Sequence, residues 1–226
     1  MMINTYMLRH LKHFTSYSAK ILLRVATVAA LLALPIAALA ATGPKVFHAD
    51  LMPLNASVGG GAHGTVTLTV SNGILTIDAD VKGLSPGMHM IHIHGFTFGD
   101  KSATCASMAQ DVNGDGIIDL TETGPVSGTT LIPFTDQPAS LKIPSDKYPV
   151  ANASGEFTYR ETVSLKDLNM ALKKNFGIED VQLDKRVIYV HGIPDSSHLP
   201  ATVGSLPGVP ANLTLPVACG VIRESK

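Results

Sequence analysis

The chain predicts an all-β fold. Three observations carry that prediction. Short segments of β-branched, aromatic and aliphatic residues recur along the chain, and several alternate with polar residues. Gly and Pro turn signals separate them. Ser71-Asn72-Gly73 joins two such segments, and Asn-Gly between alternating runs is the strongest short hairpin signal. Short strands punctuated in this way read as a sandwich or barrel.

The elements follow in order. Residues 1–40 read as a signal peptide outside the fold. Arg9, Lys12, Lys20 and Arg24 form a basic start, residues 25–35 are apolar, and Ala38-Leu39-Ala40 is a small-residue cleavage motif. An uncleaved anchor is the alternative, but the apolar run is short for a span. The expectation is export to the periplasm or the extracellular space, with no membrane contact after cleavage. The remaining 41–226 is long enough for one domain with a sizeable core.

Strands are expected over 45–55, 64–70, 74–81, 88–94 (after the Pro86-Gly87 turn), 157–163, 186–191 and 213–222. One helix is expected after 163. Ser164-Leu165-Lys166-Asp167 resembles a capping box with Asp in place of Glu, and Leu165, Leu168, Leu172 and Phe176 share a face. Gly177 is a good stop. The Pro-, Gly- and Ser-rich stretch 192–210 reads as a long surface loop. The sequence shows no second domain and no repeat.

Charge and cysteine content narrow the function. Losing Arg9, Lys12, Lys20 and Arg24 with the leader leaves 13 basic against 18 acidic residues, a net charge of −5. An acidic domain without a basic cluster argues against nucleic acid as a partner. Cys105 and Cys219 are the two cysteines, and in an oxidising compartment they are candidates for one bridge.

Two constellations carry chemistry. His92-Ile93-His94 on a strand puts both imidazoles on one face, outward, with Ile91 and Ile93 toward the core. Two imidazoles suit copper or zinc. In residues 186–191, Ile188 and Val190 would face inward, leaving Tyr189 and His191 outward. If the two strands lie close, His92, His94 and His191 form a three-nitrogen site; otherwise they are surface histidines.

The second constellation runs from Asp111 to Glu122 and matches an EF-hand calcium loop at every key position. Asp111, Asn113 and Asp115 fall at positions one, three and five, and Gly116 permits the turn. Ile117 offers its carbonyl, Asp119 binds directly or through water, and Glu122 can be bidentate. Pro125 follows closely, so no full exiting helix is expected; the alternative is an acidic surface turn. Of the other histidines, His48 has no assigned role and His63 reads as a loop residue. His198 is either a fourth nitrogen or a solvated loop residue. The sequons at Asn55, Asn152 and Asn212 matter only in a glycosylating host.

Residues 87–94, then Gly99-Asp100 and Cys105, resemble the copper-ligand strand and following loop of Cu/Zn superoxide dismutase. Residues 186–191 resemble that family's later copper-ligand strand, and Ala218-Cys219-Gly220-Val221-Ile222 its last strand. The motifs keep the family's order and span most of residues 41–226. The resemblance implies an eight-stranded Greek-key barrel or sandwich, copper on His92, His94 and His191 as the catalytic centre, and a Cys105–Cys219 disulfide. It also implies a structural His89 and an Asp195 that orients metal ligands. A chordin-type extracellular domain shares the strands and a His-x-His-like segment, but the 218–222 motif and the cysteine pair favour the dismutase-like fold.

The departures are specific. No histidine lies between His94 and His191, so the bridging ligand, the zinc site as normally built and the fourth copper ligand are missing. Pro216 stands where the family has a substrate-guiding arginine. The expected protein binds copper and Ca²⁺ but not zinc. Superoxide disproportionation is implied by the resemblance and weakened by the lost cation. The alternative is a non-catalytic metal-binding or structural module. A homodimer is left open.

Overall fold

A computed structural model describes residues 43–144, 146–195 and 198–226. The expected signal peptide over 1–40 lies outside the described residues. The fold is all-β. The strands are β1 (Lys45–Pro53), β2 (His63–Ser71), β3 (Ile74–Lys82), β4 (Gly87–Met88), β5 (Met90–Gly95) and β6 (Thr129–Pro133). They continue with β7 (Val150–Ala151), β8 (Phe157–Ser164), β9 (Val187–His191), β10 (Pro216–Val221) and β11 (Arg223–Glu224).

Eight of these form one curled antiparallel sheet in the order β6-β5-β9-β10-β1-β2-β3-β8, while β11 pairs with β1 and β4 with β7. The β1-β2-β3 meander is local, and Asn72-Gly73, both at positive φ, makes its second hairpin. From β3 the chain crosses to the far end of the sheet, builds β5 and β6, crosses back to β8, and returns to place β9 beside β5. These are Greek-key crossings. The two edge strands meet through side chains: Phe134 stacks on Tyr159 at 5.2 Å, and the Tyr159 hydroxyl donates to the Thr135 carbonyl at 2.8 Å.

Alternation builds the interior. Ala49 and Leu51 from β1, Val66 and Leu68 from β2, and Leu75 and Ile77 from β3 point inward. Ile91 and Ile93 from β5 and Ile188 and Val190 from β9 join the same core, as expected. The expected helix spans Leu165–Phe176, with the Ser164 side chain accepting from the Asp167 N–H and Gly177 closing it at φ 73°. Leu168 and Leu172 bury its inner face.

Several expectations need correction. The single expected helix is joined by Ala56–Gly59, Leu120–Ser127 and Ala211–Thr214. The strand expected over 88–94 breaks at His89, and 213–222 starts as a strand only at Pro216. β6, β7 and β11 were not expected.

The largest correction concerns the outer face of β5 and β9. His92, His94, His191 and Tyr189, expected outward and exposed, point outward from the sheet but are buried. A covering layer lies over them. Ala103 packs on Val187, Tyr189 and Cys219 in a small second core. The Tyr189 hydroxyl accepts from the Ala106 N–H at 2.8 Å and bonds the Ser127 hydroxyl at 2.7 Å. The Cys105–Cys219 disulfide ties the same layer to β10, with Cα atoms 5.8 Å apart.

Candidate metal centre

Antiparallel pairing of β5 and β9 brings the three histidines together. His92 lies opposite Tyr189 and Met90 opposite His191, so the imidazoles of both strands share the outer face. The ring centroids are 5.3 to 5.8 Å apart. One nitrogen from each of His92, His94 and His191 lies within 4.8 Å of the others.

Each ring has one occupied and one orphaned nitrogen. His92 Nε2 lies 2.6 Å from the Tyr148 hydroxyl, and His94 Nε2 lies 3.3 Å from the Thr130 hydroxyl. His191 Nδ1 donates to the Thr214 carbonyl at 2.8 Å. A carbonyl only accepts, so the neutral His191 ring carries its proton on Nδ1 and a lone pair on Nε2. The remaining atoms, His92 Nδ1, His94 Nδ1 and His191 Nε2, are buried without a partner. An unmet buried donor or acceptor costs about 1–3 kcal/mol, so three within one cluster of histidines favour a ligand.

Electrostatics favour the same conclusion. Burial, then repulsion from His191 and His94, holds the His92 pKa well below its ordinary range. Burial and His191 do the same for His94. Burial lowers His191 to about 4, against a partial rise from the Thr214 carbonyl. All three rings are neutral at pH 7, the form that coordinates a cation.

The supporting groups were not legible in sequence. Tyr148 and Thr130 come from segments without a periodic signal, and Thr214 contributes only its carbonyl. Asp195, expected to orient a ligand, is exposed. His89 is buried as expected, its nitrogens 3.1 Å from the His191 carbonyl and 2.8 Å from the Ser85 carbonyl. His48, His63 and His198 are exposed and stand outside the cluster.

The cluster opens on a cavity of about 210 Å³ whose lining includes His92, His191, Met88, Met90, Leu120 and Leu206. None of its described lining residues is charged. A wider hollow of about 380 Å³ lies over β2, β3 and β8, lined by Thr65, Asp78 and Arg160 among others. It is more open and holds no orphaned buried donor or acceptor, so the histidine cavity is the functional candidate.

The acidic loop is organised differently. Asp111 accepts from the Gly114, Asp115 and Gly116 N–H groups at 2.8, 3.2 and 2.9 Å. Asn113 accepts from Asp115 at 2.9 Å, and Asp115 from Ile117 at 2.9 Å. Glu122 accepts from Val112 and Asp119, at 2.9 and 3.1 Å. Asp119 caps Leu120–Ser127, a two-turn helix formed despite Pro125 and ended at Gly128; no full exiting helix was expected, and this short one follows the loop. Among the described residues, no three carboxylates of the loop converge closely enough to count as a metal cluster.

This loop also borders the histidine cavity. The Thr202 hydroxyl donates to Asp115 at 2.6 Å and the Gly204 N–H to Asp119 at 2.5 Å. Leu120 and Leu206 then both line the cavity. Asn55 anchors the loop from below. Its amide donates to the Ile118 and Pro216 carbonyls at 2.7 and 2.9 Å and accepts from the Ile118 N–H at 2.8 Å. That side chain is buried, so the sequon at Asn55 is not available in the folded protein.

No family model matches the chain, and no curated protein matches it. Among solved structures, the clock protein EA4 is similar at a TM-score of 0.40 and 17% identity, over 80% of this chain and 95% of that one. Among the described residues, no helix is long and apolar enough to cross a membrane.

Proposed function

We propose that this is an exported, dismutase-like metal protein that holds copper at His92, His94 and His191 and Ca²⁺ in the 111–122 loop. One observation carries the copper reading: three buried histidines under the covering layer offer ring nitrogens within 4.8 Å of one another, and each ring keeps one nitrogen without a partner. Three neutral imidazoles fit copper, which would supply one-electron chemistry when bound. The chain's own residues orient the rings through Tyr148, Thr130 and the Thr214 carbonyl, and exclude bulk water. The calcium reading rests on the twelve-residue pattern and its hard oxygen donors.

The ordered motifs raise superoxide disproportionation as the reaction, and the uncharged mouth argues for slow turnover. Steering by charge raises encounter rates by about 10–10³-fold, and this mouth has no cation to provide it. The metal-loaded protein is expected to bind one copper ion per chain and to dismutate superoxide slowly, with little dependence on ionic strength. His92→Gln should remove the copper. Copper bound equally by wild type and His92→Gln would overturn the site. Copper bound with no superoxide decay would leave the binding module and remove the enzyme.

A further inference from the structure

Three histidines leave a metal short of its usual coordination, and the cavity over them supplies a restricted set of donors. Met90 lies directly opposite His191 in the β5-β9 ladder. Residues so placed have Cβ atoms about 4.5–5.5 Å apart. By alternation Met90 shares the face of His92 and His94, and it lines the cavity beside His92 and His191. Two hydroxyls also line it, but Thr130 is engaged with His94, and Thr214 with Ser205 and the Ala211 carbonyl. Among the described residues, no carboxylate, amine or thiol lines it. Among the described lining residues, the donors left are the thioethers of Met88 and Met90, and Met90 is the one in register with a ligand histidine.

A thioether is a soft, weakly basic donor. It favours Cu(I) over Cu(II) and adds little for Zn²⁺. An apolar, uncharged mouth favours the same choice, because the monovalent ion loses less hydration on entry than a divalent one. Methionine's three rotatable bonds let its sulfur reach a centre set by the neighbouring strand.

We propose that Met90 is a fourth donor to the metal held by His92, His94 and His191, and that the site takes copper as Cu(I). The inference rests on reading the histidine cluster as a metal site.

The test is anaerobic titration of the folded protein with Cu(I) against a chromophoric chelator, together with Zn²⁺ titration and X-ray absorption at the copper edge. Met90→Leu keeps the side-chain volume. It is expected to weaken Cu(I) binding by about tenfold or more, the lower end of what even a supporting partner is worth at a metal site. Zn²⁺ binding should stay within about twofold, and one sulfur should leave the copper shell. Met170→Leu, on the exposed side of the Leu165–Phe176 helix, should change none of these. Equal Cu(I) affinity in wild type and Met90→Leu, with an all-nitrogen shell in both, would overturn the methionine proposal and leave the histidine site standing. If wild type binds neither Cu(I) nor Zn²⁺, the histidine site itself falls, and the proposal with it.

Discussion

The histidine cluster and the acidic loop face each other across one cavity wall, yet they handle their polar atoms in opposite ways. The cluster leaves three buried nitrogens without partners, one on each ring. The loop spends its carboxylates on its own backbone: Asp111, Asp115 and Glu122 each accept N–H groups from within 111–122. A deficit in a dry site points to a missing ligand. A loop that hydrogen-bonds itself keeps its shape whether or not a cation is present. The cluster is therefore a place where a metal could complete the bonding, whereas the loop completes its own.

Both regions hang from the covering layer, so the first way to break the comparison is to release that layer. The Cys105–Cys219 bridge joins residues 114 apart in sequence. In the chain-entropy account a closed loop near that size is worth about 4–5 kcal/mol. Cys105→Ser with Cys219→Ser should lower unfolding free energy by about that much in denaturant melts. It should also weaken metal binding at the histidines, because Tyr189 and Ser127 lose the layer they anchor. A double variant as stable as the parent would show that the layer holds without its bridge.

Acid should separate the two regions. In the metal-free protein the lowered histidine pKa values run as follows. Above about 6.5 the rings are neutral in folded and unfolded chains alike, so they cost nothing. Between that value and about 4 the unfolded chain takes up protons that folded His191 refuses, so stability falls with falling pH. Below about 4 the share of that loss due to His191 levels off. His191 alone accounts for about 3 kcal/mol across that window. His191→Gln should make the pH–stability curve of the metal-free protein less steep between pH 6.5 and 4, with His92 and His94 keeping the rest of the slope, and an unchanged slope would refute the assignment.

Calcium tests the other side. A cation that binds only the folded state at 100 times its dissociation constant stabilises by about 2.7 kcal/mol. For a domain of this size that raises the melting temperature by roughly 5–11 °C. Chelation should reverse the shift, and Asp115→Ala should abolish it. If chelation leaves the melting temperature unchanged and Asp115→Ala melts like the parent, the loop is an acidic turn closed by its own hydrogen bonds.

How far these regions were legible in sequence follows from what each signal reports. Alternation placed Ile91, Ile93, Ile188 and Val190 in the core, and the same parity put His92, His94 and His191 on one face. Parity says which side a residue is on, not what lies over it. The layer covering His92 and Tyr189 is built from 96–128 and 198–214, segments with no period, held by Tyr189, Ser127 and a disulfide. The helix at 165–176 was legible because its cap, apolar face and stop agree. Leu120–Ser127 was not, because Pro125 argued against a helix that the Asp119 cap and Glu122 nevertheless start. The metal ligands are side chains with a known chemistry, whereas the Thr214 carbonyl that orients His191 leaves no mark in the sequence.

The smallest effect expected is the sharpest probe of how the regions are joined. Asn55 sits at positive φ and bridges the loop to β10 with three buried hydrogen bonds. Asn55→Ala would strand the Ile118 N–H and two carbonyls, and would strain a left-handed position that Asn tolerates better than Ala. Water entering the gap would recover part of that loss, leaving about 2 kcal/mol. Asn55→Gly relieves the backbone but not the bonds, so it should recover only the conformational share. If the loop is a separate clamp, both variants should weaken Ca²⁺ binding and leave copper affinity nearly intact. If Leu120 and the 202–206 segment transmit the change to the cavity wall, copper affinity should fall in step with Ca²⁺ affinity. Isothermal titration with each metal on the same two variants decides between a shared wall and a shared mechanism.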